Sequence, residues 1–283
     1  MTPNLRRFKA AAVQMSAVVG DVDGNVAKAE RMLGDAAAQG ARLVCLPEMF
    51  NTGYFSHTTH VDPAFWDLGE PLDDSPTLRR IGAAARAAGV WTLAPIVERA
   101  APGIYHNTSV LLDDAGAVAG RYRKVHVPWS LTAWEKYYFR PGYHFPVFDT
   151  PFGRLGIQTC YDRDFPEGFR ALALDGAELV LVPAGAPRAL ADIWRQICRV
   201  RAYENGVWLL GIGLTGKADE QHHEMIAHSL AVAPDGEVTA ALGVEETVLV
   251  VDIDLDRIET ARRRRYPMRD RRPEVYGRLV EPG

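Results

Sequence analysis

Three cysteines in 283 residues, Cys45, Cys160 and Cys198, are odd in number and widely spaced. They form neither a disulfide framework nor the close pairs of a zinc knuckle, so no metal or other cofactor is implied. No apolar run approaches the roughly eighteen residues of a membrane span, and the N-terminal Met-Thr-Pro-Asn-Leu-Arg-Arg-Phe has no apolar signal core. A cytoplasmic protein with no membrane partner is the expectation. Charge of one sign is missing too: 32 Lys and Arg against 36 Asp and Glu leave a net charge of −4, which gives no electrostatic case for nucleic acid. Only the end of the chain is locally basic, and the arginines at 262–265 and 269–272 read as a solvated helix face and tail with internal or subunit ion pairs. No shift in composition marks a boundary. One domain over 1–283 is expected, with a core of about 8–265 and a tail, 266–283, packing on the body or on a partner subunit.

Apolar patterning is plentiful, at 47% hydrophobic residues. Residues 8–15 read as a buried strand, 25–39 as a helix stopped by Gly40, and 43–48 as a second strand. Ser75-Pro76 starts a helix that ends at Gly89, 90–97 is a third strand, and 107–112 with 117–124 form a hairpin. The second half follows the same order: strand 155–159, helix 166–175, strand 179–183, helix 189–204, strand 207–212, and a hairpin of 229–232 with 237–241. Gly40-Ala-Arg-Leu-Val-Cys-Leu-Pro47 matches Gly176-Ala-Glu-Leu-Val-Leu-Val-Pro183, and Val90-Trp91 matches Val207-Trp208. A strand over 247–253 and a helix over 255–265 complete the body. Because strand–helix–strand crossovers share a hand, each half carries its helices on one sheet face and leaves the other apolar. Packing those faces together predicts an α/β fold, a four-layer α-β-β-α sandwich with two mixed sheets and an internal pseudo-repeat.

Three polar residues stand at strand or hairpin ends, where sites form in α/β sheets: Glu48, Lys124 and Cys160. The counterpart of Glu48 in the second half is Ala184, so the scaffold does not itself require a carboxylate there. Each has a plainer reading, as a turn cap, a surface charge or a buried thiol. Cys45, inside an apolar strand, and Cys198, one helical turn after Trp194, read as structural. His222, His223 and His228 with Glu224 fit no helical His–Glu metal spacing, and the glycines of 211–217 do not have phosphate-loop spacing.

Leu46-Pro-Glu48-Met-Phe, Arg121-Tyr-Arg-Lys124-Val-His and Gln158-Thr-Cys160-Tyr-Asp-Arg-Asp-Phe-Pro-Glu167 resemble, in order, the three signature segments of the nitrilase superfamily of carbon–nitrogen hydrolases. The resemblance covers nearly the whole chain, including Arg199-Ala-Tyr-Glu-Asn205 and Arg271-Arg-Pro-Glu-Val-Tyr276. It implies the same four-layer fold, a homodimer or larger homo-oligomer, and cleavage of a C–N bond in a small molecule with release of ammonia. In that scheme Cys160 is the nucleophile, Glu48 its base, and Lys124 with the Tyr161 backbone N–H stabilises the oxyanion. Glu135 orients Lys124 or the substrate, and Glu204 is structural. Arg163 resembles the carboxylate clamp of relatives acting on N-carbamoyl acids, but Asp164 stands where N-carbamoyl-D-amino-acid hydrolases have a second arginine. Tyr54, Trp129 and Ala184, in the segments 51–60, 129–138 and 183–187, are the further candidates for substrate contact. The reading is an N-carbamoyl (ureido) amidohydrolase; an ω-amidase or aliphatic amidase is the alternative, and a non-catalytic or partner-dependent subunit is the reading from another class.

Overall fold

A computed structural model describes residues 5–57, 61–130, 133–217, 224–265 and 267–281. The first half supplies β1 (Arg7–Gln14), α1 (Val22–Ala38), β2 (Leu43–Cys45), α2 (Pro76–Ala88), β3 (Trp91–Ala101), β4 (Ile104–Leu112) and β5 (Val118–Arg123), and the short α3 (Glu135–Tyr138) follows. The second supplies β6 (Val147–Thr150), β7 (Gly153–Ile157), α4 (Pro166–Leu174), β8 (Leu179–Ala184), α5 (Ala191–Asn205), β9 (Trp208–Gly213), β10 (Leu230–Val232) and β11 (Val238–Ala241). β12 (Thr247–Asp254) and α6 (Asp256–Arg264) come last.

The strands form two six-stranded sheets, ordered β12-β1-β2-β3-β4-β5 and β11-β10-β9-β8-β7-β6. In the first, β1, β2 and β3 are parallel neighbours and β4 and β5 return antiparallel. β7 to β11 repeat that plan strand for strand, which is the pseudo-repeat expected from the sequence. Each sheet gains a sixth, antiparallel strand beside its first: β12 on β1, and β6 on β7. β6 is absent from the sequence reading because its four half-exposed residues carry no apolar run.

Side-chain alternation separates the layers. Ala10, Ala12, Leu43, Cys45, Leu93 and Leu111 of one sheet meet Leu155, Ile157, Leu179, Leu181, Leu210 and Ile212 of the other in an inter-sheet core. Their neighbours Ala11, Val13, Val44 and Ala94 point outward under Val26, Leu33, Leu78 and Ile81 of α1 and α2. On the far side Val180, Val182 and Leu209 lie under Phe169, Leu172, Trp194 and Cys198 of α4 and α5. The result is the helix–sheet–sheet–helix order, with central strands apolar on both faces.

Local signals set the helix ends. Ser75 Oγ accepts from Leu78 N at 2.9 Å, Pro76 opens α2, and Gly89 closes it at φ +65°. α1 begins three residues before the expected start, because Asp21 caps it through Gly24 N. Arginines near the end pair locally, Arg263 with Glu259 and Arg269 with Asp270, as a solvated face does. Among the described residues no helix is long and apolar enough to cross a membrane.

Leu181 is fully buried between the sheets. Leu181→Ala is expected to lower unfolding free energy by about 2–5 kcal/mol; a loss under about 1 kcal/mol in chemical denaturation would mean that this interface is not tightly packed.

Candidate active site

The parallel strands of both sheets point their carboxyl ends to one side, and the chain leaves them there with polar residues. Glu48 lies three residues past β2, Lys124 directly follows β5, and Cys160 lies three residues past β7. Glu135 opens α3. Lys124 Nζ is 2.9 Å from Glu48 Oε1 and 2.7 Å from both oxygens of Glu135, and all three side chains are fully buried. Glu48 Oε2 accepts from Gly185 N at 2.6 Å, and Tyr54 OH donates to Glu135 Oε1. Asn107, on β4, donates from Nδ2 to Glu48 Oε1 at 2.8 Å and to Glu135 Oε2 at 3.4 Å.

Cys160 sits at φ +50°, the left-handed region that a residue with a Cβ rarely adopts. A single turn of 3-10 helix over Cys160–Asp164 then leads into α4. Asp162 holds this posture: its carboxylate accepts from Thr159 N at 2.9 Å, Tyr122 OH at 2.6 Å and His126 N at 2.8 Å. Bonds from β5 and from the loop after it thus fasten the turn of one sheet to the other. Around the sulfur stand Arg163 Nη1 at 3.5 Å, the Gly185 carbonyl at 3.7 Å and Tyr54 OH at 4.0 Å.

Burial dominates the electrostatics. It raises the Glu48 carboxyl above its ordinary value; Lys124 opposes the rise, while the like charge of Glu135 adds to it. For Lys124 burial works against the ammonium, but Glu135 and Glu48 outweigh it and hold the proton on. The Cys160 thiol is pushed up to about 12, first by burial and then by the charge of Glu48, with Lys124 and Arg163 pulling the other way. Cys45 and Cys198, both buried in cores, are raised by desolvation alone or nearly so, in keeping with a structural role.

A cavity of about 370 Å³ opens onto the sulfur. Tyr54, Trp129, Tyr161 and Arg163 line it, as do Gly185 and Asp164. Ala184 is displaced from its expected place: it is buried in the core under α5, and the wall is made one residue later, by Gly185 and Ala186. In a strand a shift of one residue changes the face. A Cβ on Gly185 would lie 2.5 Å from the Tyr54 ring, so glycine is what lets this backbone approach. Arg163 is buried, with its guanidinium 5.6 Å above the Trp194 ring; its Nε has no hydrogen-bond partner among the described residues and lies 3.7 Å from Asp164 Oδ1. Glu204 does not line the cavity; it pairs with Arg201, which donates to the Arg163 carbonyl behind it. A larger hollow of about 650 Å³ beside α6 is lined by surface ion pairs such as Arg257 with Asp235 and contains no thiol. Parts of the segments 51–60 and 129–138 lie outside the described residues, as do His222 and His223; among those described, no three His, Cys, Asp or Glu side chains gather as metal ligands.

Asn107, Asp162 and Gly185 are the site residues that the sequence reading did not single out. For Gly185 a signal existed, since it follows the segment matched to that of Glu48; Asn107 leaves no trace, because His106, Thr108 and Ser109 beside it on the strand are polar too.

Residues 9–263 match the family described as Carbon-nitrogen hydrolase. The chain is 34% identical to an N-carbamoylputrescine amidase of Solanum lycopersicum, over 99% of this chain and 97% of that protein. It is 29% identical to an omega-amidase of Homo sapiens, over 93% and 94% of the two chains. Its fold superposes on the crystal structure of a carbon–nitrogen hydrolase from Helicobacter pylori G27 with a TM-score of 0.91 at 29% identity, covering 97% of this chain and 99% of that one.

Since the charge of Glu48 helps to push the Cys160 thiol up to about 12, Glu48→Gln is expected to lower that thiol's pKa. Ultraviolet titration of the thiolate checks the sign, and an unchanged or higher value would contradict the coupling.

Proposed function

The chain belongs to the carbon–nitrogen hydrolase family of the nitrilase superfamily, enzymes that hydrolyse amides or N-carbamoyl compounds, and from that premise we propose a cysteine-dependent reaction run by Glu48, Lys124, Glu135 and Cys160. The observation that carries the proposal is the dry cluster of Glu48, Lys124 and Glu135 behind a thiol at the floor of a cavity.

Glu48 takes the proton of Cys160 as Sγ attacks the carbonyl carbon of the substrate; the C–S bond forms and the carbonyl electron pair moves onto oxygen. A base is required because the thiol is almost wholly protonated at neutral pH. Lys124, its proton held on by two carboxylates, and the Tyr161 backbone N–H stabilise the oxyanion, a role in which loss of one donor typically costs about 10²–10³ in rate. The proton on Glu48 passes to the leaving nitrogen, the C–N bond breaks and ammonia departs. Water, deprotonated by the same carboxylate, then cleaves the C–S bond of the thioester-type intermediate. Glu135 and the Tyr54 hydroxyl bonded to it keep the ammonium in place.

The proposed substrate is a small N-carbamoyl compound, supported by the chain-long likeness to the Solanum protein. Likeness to the human omega-amidase supports a carboxamide as the second reading. The cavity wall carries both an arginine and a carboxylate, Arg163 and Asp164, so a substrate tail of either charge finds an opposite group there.

An ammonia-release screen over N-carbamoyl amines, N-carbamoyl acids, ω-amides and aliphatic amides tests this reading. Cys160→Ala is expected to fold and to release no ammonia; turnover in that variant removes the nucleophile assignment. A preference for carboxylate-free substrates, unaltered by Arg163→Ala, removes the arginine as a clamp. Because the Glu48 carboxyl is raised, the acid limb of kcat/KM is expected above the usual carboxylate range, with activity rising as pH rises through it.

A further inference from the structure

β4 runs through the inter-sheet layer, and its residues 107, 109 and 111 share the face toward the other sheet. Leu111 is ordinary core there. Ser109 meets Thr159, next to Cys160, at 3.2 Å. Asn107 touches all three charged residues of the site: its carbonyl accepts from Lys124 N at 2.9 Å, and its Nδ2 donates to Glu48 and to Glu135.

The orientation of that amide is informative. Asn107 is 1% exposed, and its Oδ1 is buried with no hydrogen-bond partner among the described residues. Leaving a buried acceptor unpaired typically costs about 1–3 kcal/mol. The reverse orientation would set Oδ1 against two carboxylates, so the NH₂ group must face Glu48 and Glu135 and the oxygen is left over. An apolar side chain of the same size would spare the fold that cost. Packing alone therefore does not explain Asn107, whereas a demand from the two carboxylates does.

We propose that Asn107 is a positioning residue for the hydrolytic reaction. One amide N–H₂ bridges the two carboxylates, fixes the Glu48 oxygen beside Lys124, and favours the ionised form of Glu48 that accepts the thiol proton. The inference rests on Glu48 being the base for Cys160. Without the amide, Glu48 keeps Lys124 and the Gly185 N–H as donors, so folding and the cavity survive while the carboxylate rotates more freely and binds a proton at higher pH.

The test compares Asn107→Leu, which keeps the branched outline and removes both the donor and the orphaned oxygen, with Glu48→Gln and the native chain. Three quantities are read: melting temperature, the pH dependence of Cys160 alkylation by iodoacetamide followed by mass spectrometry, and kcat and KM on the best substrate of the ammonia-release screen. Asn107→Leu is expected to melt a few degrees lower, since two buried carboxylates lose a donor, to lose roughly 10- to 100-fold in kcat with KM within about twofold, and to show its acid limb moved up by about one pH unit. A merely structural residue would move the melting temperature and leave the limb alone. Native kcat and an unmoved limb in Asn107→Leu, beside an inactive Glu48→Gln, overturn this inference alone. Full activity in Glu48→Gln overturns the assignment of the base, and this inference with it. If Asn107→Leu fails to fold, the same measurements on Asn107→Ser decide between these outcomes.

Discussion

The ammonium of Lys124, held between two carboxylates with no access to water, is the constraint around which the rest of the site is arranged. Transferring any one of these charges from water costs several kcal/mol after relaxation, and mutual attraction returns that only when geometry is close and the remaining lone pairs are occupied. Two carboxylates against one ammonium leave an excess negative charge. It is spread over neutral donors: the Gly185 N–H, the Asn107 amide and the Tyr54 hydroxyl. Each comes from a different part of the chain, so the cluster exists only when both sheets are in place.

Next to this rigid charged group stands a backbone held away from its preferred conformation. A residue with a side chain in the left-handed region costs on the order of 1–3 kcal/mol and needs surroundings that leave it no alternative. Asp162, with acceptor bonds from its own turn and from the opposite sheet, provides them. The thiol is thereby turned toward the cavity instead of continuing the line of β7 into the core.

Much of the layer order was legible because central strands buried on both faces announce themselves as short apolar runs, and because Gly40 and Gly89 punctuate the helices. β6 was not, since an edge strand of four half-exposed residues makes its pairing through backbone groups that any sequence carries. Glu48, Lys124 and Cys160 were conspicuous as polar residues closing strands, and the resemblance to known signature segments added Glu135. The supporting residues escaped for a physical reason. Asn107 is out of character only in relation to partners 28 and 59 residues distant, and Asp162 only in relation to Tyr122 and His126. Ala184 still belongs to β8 and Gly185 is the first residue beyond it, a strand end that the apolar run over 179–183 does not mark.

The pairing of β12 with β1 has a bearing on how the chain is made. Register runs without interruption from Arg7 with Asp254 to Gln14 with Thr247, so β1 must wait for β12. Such distant pairing is slow to form, and until it does β1 presents an unsatisfied backbone edge to whatever is near. On the ribosome β2 can join one side of β1 early, but its other side stays open until translation has passed β12. The growing chain therefore carries an adhesive edge until β12 has been made, and closure of this sheet follows that of its β1-β2-β3 centre.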